Sequence, residues 1–252
     1  MTRPARHGCW ACRLTPLLIV CSPQARVGRT LVSRLLLDFF LMEDRLATGF
    51  DFVVEPPSFV DFLPDHTVQA NVADIEGQMA LFDRLIVPDG TAKVVDLAPA
   101  SFQQFFSVMA QIDFVDHARQ RGIEPIALFM AAPDAVSQRA YAELQRSLPE
   151  LLLVPVYNEA IAQGKRARQN YPSGRLVSVP IQIPALAPHF YRYLENPPFS
   201  FAEFRGTPPR DIPLDAYMEL LRWLRRAFVE FRELELRLLL GEVRASLFRG
   251  AS

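Results

Sequence analysis

Residues 17–40 read LLIVCSPQARVGRTLVSRLLLDFF, and this stretch decides the fold. Residues 17–21 are apolar throughout, which is typical of a strand that is buried on both faces. A loop follows over residues 22–27. The apolar residues beyond it recur with the spacing of one helix face, at positions 31, 32, 35, 36, 39 and 40. The stretch therefore predicts a buried strand, a loop and an amphipathic helix, in that order.

The junction between this loop and this helix has the layout of a phosphate-binding loop. The first amides of a helix have no partner within it, and the helix dipole adds partial positive charge there, so backbone N–H groups can hold an anion. Gly28 lets the backbone come close, Arg29 supplies a cation and Thr30 a hydroxyl ligand for Mg²⁺. The full motif, G-x-x-x-x-G-K-[ST], would have a glycine at Pro23 and a lysine at Arg29, so the motif is degenerate. The alternative is an ordinary strand-to-helix turn.

The segment SPQARVGRT resembles the deviant Walker A loop of the ParA/MinD family, whose pattern is K-G-G-x-G-K-[ST]. Gly28 and Thr30 match that pattern. The resemblance implies a P-loop protein that binds ATP with Mg²⁺. It also implies nucleotide contacts from the loop and the first helical residues: Gln24, Val27, Gly28, Arg29, Thr30 and Leu31.

The loop departs from the family pattern at its basic and glycine positions. Arg29 replaces the loop lysine, while Ala25 and Arg26 replace two glycines. Gln24 stands where the family has its signature lysine, which reaches across an ATP-sandwich dimer. These departures put the nucleotide-driven dimer switch, and hydrolysis itself, in doubt.

Residues 93–97, KVVDL, form the second informative stretch. A strand that ends in an aspartate resembles a Walker B strand, and the carboxyl edge of a parallel sheet is where ligands bind. VVDLAPASFQQFF is similar to the corresponding strand and loop of the family, particularly in its conjugal-transfer relatives. The resemblance implies that Asp96 is a catalytic and metal-site residue that acts with Thr30 on Mg²⁺. The alternative is that Asp96 caps the segment 98–106.

Two further residues are candidates for the same site. The second predicted strand, residues 50–55, carries Asp51, which in the resembled family would face the metal and the attacking water as a catalytic residue. A solvated carboxylate at a strand end is the alternative. Asn158 follows a late strand and matches loosely an asparagine that recognises adenine in such proteins. A turn-forming asparagine is the alternative for that position.

Composition limits the classes of protein. Half of the 252 residues are apolar and the net charge is −1, which argues against nucleic acid as a partner. Lys93 and Lys165 are the two lysines, against 25 arginines. No apolar run reaches the roughly 18–20 residues that span a bilayer, so we predict a cytoplasmic protein without a transmembrane segment. Cys9 and Cys12 form a C-W-A-C pair, either a redox or metal site or part of a poorly ordered tail.

The remaining pattern alternates strands with helices. Strands are expected near residues 17, 50, 93, 124, 151 and 176, and helices over 74–85, 102–121 and 134–147, the last with Asp134 as its N-cap. The fold class is therefore α/β, with a three-layer, mostly parallel sheet wound on both faces.

Four regions follow from composition: a tail over 1–13, the α/β domain over 14–195, a Pro/Phe-rich linker over 196–211 and a helical extension over 212–252. Gly241 is a candidate break in that extension. A protein partner is expected at loop 56–66 or at the C-terminal helix, and a homodimer is a further expectation. A basic loop over 164–175 is read either as a phosphate or nucleic-acid contact or as a solvated loop.

Two functional hypotheses follow. The first is a ParA/MinD-like nucleotide-binding protein with weak or no ATP hydrolysis, in a partitioning, positioning or transfer role. The second is a catalytically dead P-loop-fold scaffold that serves as a protein-interaction module.

Overall fold

The computed structural model describes residues 14–53, 55–161, 171, 179–207 and 212–249, with side chains as far as residue 240. Within these residues, seven parallel strands form one sheet in the order β3-β2-β4-β1-β5-β6-β7. The strands are β1 Thr15–Cys21, β2 Ala47–Asp51, β3 Thr67–Gln69, β4 Ala92–Asp96, β5 Ile123–Met130, β6 Leu152–Asn158 and β7 Ile181–Ile183.

The helices fill the connections between these strands. They are α1 Arg29–Met42, α2 Phe59–Phe62, α3 Ile75–Leu85, α4 Phe102–Gln111, α5 Phe114–Gln120, α6 Ala135–Ser147, α7 Tyr191–Leu194, α8 Phe201–Gly206 and α9 Leu214–Arg249. The predicted N-cap of α6 is confirmed, because Asp134 accepts a hydrogen bond of 2.8 Å from the Ser137 amide.

The strand β1 divides its side chains between two hydrophobic cores. Leu17, Ile19 and Cys21 lie in the core that α3, α4, α5 and α6 cover. Leu18 and Val20 lie in the opposite core, under α1, α2, α8 and α9. Helices therefore cover both faces of the sheet, and the expected three-layer α/β arrangement is confirmed.

Several predicted boundaries were wrong. The second strand ends at Asp51 and does not extend over residues 50–55, and the short strand β3 was not predicted. The helix expected over 102–121 is two helices, separated where Asp113 adopts a left-handed φ of 47°. The strand expected to begin near residue 176 is not among these errors: the strand β7 lies a few residues later, and residues 172–178 lie outside the described part of the chain.

The segment that we predicted to be a linker contributes to the core through the part that the structure describes, residues 196–207. Its helix α8 buries Phe201 and Phe204, and the long helix α9 buries Trp223 and Phe228 in the same cluster. The helix α9 also continues through Gly241 without a break. The expectations for the tail over 1–13, with its two cysteines, and for nearly all of the basic loop fall outside the described residues.

The chain changes direction across the sheet at β1 and β4. After β1 the chain crosses to β2 through α1 on one face, whereas after β4 it crosses to β5 through α4 and α5 on the other face. The carboxyl ends of β1 and β4 therefore open into a crevice, the usual ligand-binding position in such sheets. No helix in the described ranges is long and apolar enough to cross a membrane.

Candidate functional site

The loop after β1 has a specific backbone conformation. Arg26 and Gly28 both have left-handed φ angles, 60° and 88°. A Cβ atom at Gly28 would lie 2.5 Å from Asn158 Nδ2 and would displace that side-chain amide, and the left-handed φ itself favours glycine. The buried Ser22 hydroxyl accepts a hydrogen bond of 3.1 Å from the Gln24 amide. The loop is therefore held in one conformation at the crevice.

The first turn of α1 presents backbone donors. Gly28 is its N-cap, and the Val32 amide is the first to bond along the helix, to Gly28 O at 3.1 Å. The amides of Arg29, Thr30 and Leu31 donate to no acceptor among the described residues. These three amides can hold an anion.

The side chain of Arg29 does not point out of the loop. It is 8% exposed, and its Nη1 donates to Leu97 O and lies 3.5 Å from Asp96 Oδ1. Its Nε has no partner in the described part of the chain. The guanidinium therefore lies against the carboxyl end of β4. It does not lie where the resemblance implies the terminal phosphates.

Thr30 and Asp96 converge as predicted. The Thr30 hydroxyl donates to Asp96 Oδ2 at 2.6 Å. The carboxylate is fully buried, and this burial raises the pKa of Asp96 to about 6, although Arg29 and the Thr30 hydrogen bond oppose the rise. The direct contact leaves no gap for a metal ion between the two oxygens. Among the described residues, no group of three or more His, Cys, Asp or Glu side chains is placed to hold a metal.

Asp51 lies beside Asp96 in the sheet, and the two residues are paired in register. Its Oδ1 accepts from the Val53 amide at 2.8 Å and its Oδ2 from the Val60 amide at 2.9 Å. The carboxylate thus fixes the chain that leads into α2. Its catalytic role stays a prediction, but the contacts indicate that Asp51 holds a loop.

The two remaining predicted residues flank the loop. Gln24 Nε2 donates to Asp134 Oδ1 at 3.2 Å, which links the loop to the start of α6. Asn158 Nδ2 donates to Val27 O at 3.4 Å, and Asn158 Oδ1 accepts from the Ala160 amide. Asn158 therefore lies against the loop after β1, and both side chains brace it. Adenine recognition by Asn158 stays a prediction.

Sequence reasoning missed a buried arginine on α1. Arg34 is 4% exposed, its Nη1 donates to Leu194 O at 2.9 Å, and its guanidinium carbon lies 3.5 Å from the Phe62 ring centroid. Burial lowers the pKa of Arg34 to about 9, although Asp38 opposes this change. The signal in the sequence was a charged residue between apolar helix positions.

Asp38, one turn later on α1, is also buried. Its Oδ1 accepts from Ser200 Oγ at 2.6 Å and its Oδ2 from the Phe201 amide at 2.7 Å. Burial raises the pKa of Asp38, while these hydrogen bonds and Arg34 oppose the rise. Asp38 therefore fastens the start of α8 to the helix that carries the candidate site.

A surface cavity of about 580 Å³ lies away from this site, between α3 and α5. Its lining includes Phe82, Asp83, His117 and Arg121, and it includes no residue of the loop. The candidate site is therefore defined by the crevice between β1 and β4 and by the side-chain contacts in it, and not by this cavity.

The sequence matches no family model. A search of curated proteins likewise finds no significant relative. The likeness to the ParA/MinD family thus depends on the two stretches quoted above.

Proposed function

We propose that this protein binds a nucleotide through its phosphate groups at the N-terminus of α1, as a ParA/MinD-like protein with weak or no hydrolysis. ATP is the nucleotide that the resemblance implies. The observation that carries the proposal is the 2.6 Å contact between Thr30 and Asp96 in the crevice between β1 and β4. A hydroxyl from the first turn of α1 and a carboxylate from the end of β4 are in contact there.

The phosphate would be held mainly by the backbone. The amides of Arg29, Thr30 and Leu31 point out of the helix end, where the helix dipole adds to their positive charge. Arg26 is exposed on the same loop and forms no hydrogen bond or ion pair with a described residue. It is the cation that we assign to the phosphate.

Hydrolysis would transfer the terminal phosphoryl group of bound ATP to water, and this transfer needs positive charge close to that group. Two features would make it slow: Arg29 is held on Asp96, and Gln24 replaces the signature lysine. The protein would therefore bind its nucleotide better than it would turn it over.

A specific observation favours the scaffold alternative. With Arg29 bonded to Leu97 and Asp96, the negative charge of Asp96 is matched within the fold and needs no ligand to neutralise it. In that case the partner surface would be α9 and not the loop over 56–66, because Phe59, Phe62 and Leu63 are buried. On α9, by contrast, Leu214, Val229, Leu236 and Leu240 are largely exposed.

The two proposed functions predict different effects of nucleotide on the melting temperature: nucleotide binding predicts a rise, and the scaffold function predicts no change. At about 100 times its dissociation constant, ATP should stabilise the protein by about 3 kcal/mol and raise the melting temperature by about 5–10 °C. The variant Arg26→Glu should lose this shift, because it places a negative charge beside the phosphate. Arg225→Glu, at an exposed arginine of α9, is the matched control and should keep it. If ATP, ADP and GTP all fail to raise the melting temperature of the unaltered protein, nucleotide binding is contradicted and the scaffold function is the one that remains.

A further inference from the structure

The buried carboxylate of Asp96 already has a cation. Arg29 Nη1 lies 3.5 Å from its Oδ1, and the Thr30 hydroxyl donates to its Oδ2. Asp96 has no exposed surface. Each carboxylate oxygen therefore has a protein partner, and the negative charge is matched within the fold.

This arrangement is a poor fit for a divalent ion. A Mg²⁺ ion is usually held by one or two carboxylates through its shell of waters. Those waters would have to reach an oxygen of Asp96, which solvent does not contact. A metal at this point would also stand close to the fixed positive charge of Arg29, in surroundings where burial strengthens the repulsion.

We infer that the loop binds its phosphate ligand without a divalent metal, because Arg29 supplies the positive charge that a metal would otherwise provide at Asp96. This inference rests on the proposed function for its ligand. The outward-facing charge comes from Arg26, and the hydrogen bonds come from the first-turn amides of α1. The ligand class is a terminal phosphate or diphosphate group, in a nucleotide or in free pyrophosphate.

The first test compares binding of ATP and of inorganic pyrophosphate to the full chain, by calorimetry, in Mg²⁺ and in EDTA. The expected dissociation constant in EDTA is within about threefold of that in Mg²⁺ or lower. Tighter binding of ATP than of pyrophosphate would identify a nucleotide as the ligand, and equal binding would identify the diphosphate group alone. Binding that needs Mg²⁺ would overturn the inference and leave the proposed function intact.

The second test needs no nucleotide, so it separates this inference from the proposed function. Mg²⁺ alone should leave the melting temperature of the unaltered protein unchanged. In Arg29→Ala, studied at about pH 8.5 so that the buried carboxyl is ionised without its cation, the space left by the guanidinium should admit Mg²⁺ to Asp96, and millimolar metal should raise the melting temperature by about 3–5 °C. Arg29→Lys keeps the charge and should stay insensitive to Mg²⁺, and adding Asp96→Asn to Arg29→Ala should abolish the gain.

Stabilisation of the unaltered protein by Mg²⁺ alone would contradict the inference. So would an Arg29→Ala variant that folds but does not respond to Mg²⁺. If Arg29→Ala does not fold, the unaltered protein and Arg29→Lys still test the inference. A rise in the melting temperature of either one with Mg²⁺ would contradict it, because the metal would then reach Asp96 in the presence of the cation.

Discussion

Replacing Asp38 with alanine is expected to lower the free energy of unfolding by about 3–5 kcal/mol, because it removes the carboxylate from a buried polar cluster and leaves the partners of that carboxylate in place. The carboxylate accepts hydrogen bonds from Ser200 Oγ and from the Phe201 amide. Without it, the buried Phe201 amide and the half-buried Ser200 hydroxyl lose their acceptor. The buried Arg34 also loses the carboxylate that favours its charged form.

The effect can be measured by urea unfolding followed by circular dichroism. Ser200→Ala removes one of the two hydrogen bonds and should lower the free energy of unfolding by about 1–2 kcal/mol. Asp83→Ala removes an exposed helical aspartate and is the matched control, with an expected change within about 0.5 kcal/mol. A loss below about 1 kcal/mol in Asp38→Ala would mean that the cluster does not hold α8 on α1.

The second large effect is a pH dependence that comes from Asp96. Its pKa is raised from 3.8 to about 6 in the folded protein, mainly by burial. Between these two values the folded state binds the proton more tightly than the unfolded state does. The contribution of Asp96 to stability is therefore greatest at the acidic end of this window, and it is lost as the pH rises towards 6.

Comparison with Asp96→Asn isolates this contribution, because the amide does not titrate. The free energy of unfolding of the variant minus that of the unaltered protein should increase by on the order of 3 kcal/mol between about pH 4 and pH 7. Urea unfolding at several pH values, without nucleotide, measures the difference. Asp89 and Asp134, whose pKa values are lowered, act in the opposite direction in both proteins and cancel from it. A constant difference would mean that Asp96 titrates normally when folded.

The fold could be predicted well because its signals are local. The strands β1, β5 and β6 are mostly apolar runs, and each parallel strand must be followed by a crossover, so the alternation of strands and helices predicts a layered sheet. The strand β3 was missed because its three residues, TVQ, carry no such run. The helix over 102–121 was predicted as one helix because the break at Asp113 has neither glycine nor proline.

The linker was mispredicted because composition does not report burial. Proline and phenylalanine around residues 196–204 suggested a tether, but Phe201 and Phe204 pack into the core. Asp38 bonds to Ser200 and to the Phe201 amide, and Arg34 bonds to Leu194 O, across separations of 160 to 163 positions in the chain. Contacts over such separations have no local pattern in the sequence.

The candidate site was predictable in position but not in detail. The strand ends brought Thr30 and Asp96 together as expected. The direction of the Arg29 side chain was not predictable, because a motif gives the residue type and not the rotamer. The contacts of Asp51 with two loop amides were also missed, although an aspartate at a strand end commonly binds a backbone amide two residues later.

The position of α9 over one face of the sheet has a consequence for synthesis of the chain on the ribosome. The strands β1, β4 and β5 emerge before α9, whose Leu220, Trp223 and Phe231 complete the core on that side. Until α9 emerges, α1, α2 and α8 cover this core only in part, and the apolar surface left exposed is the type of surface that chaperones bind. The α/β layer therefore reaches its final packing only after translation has passed α9.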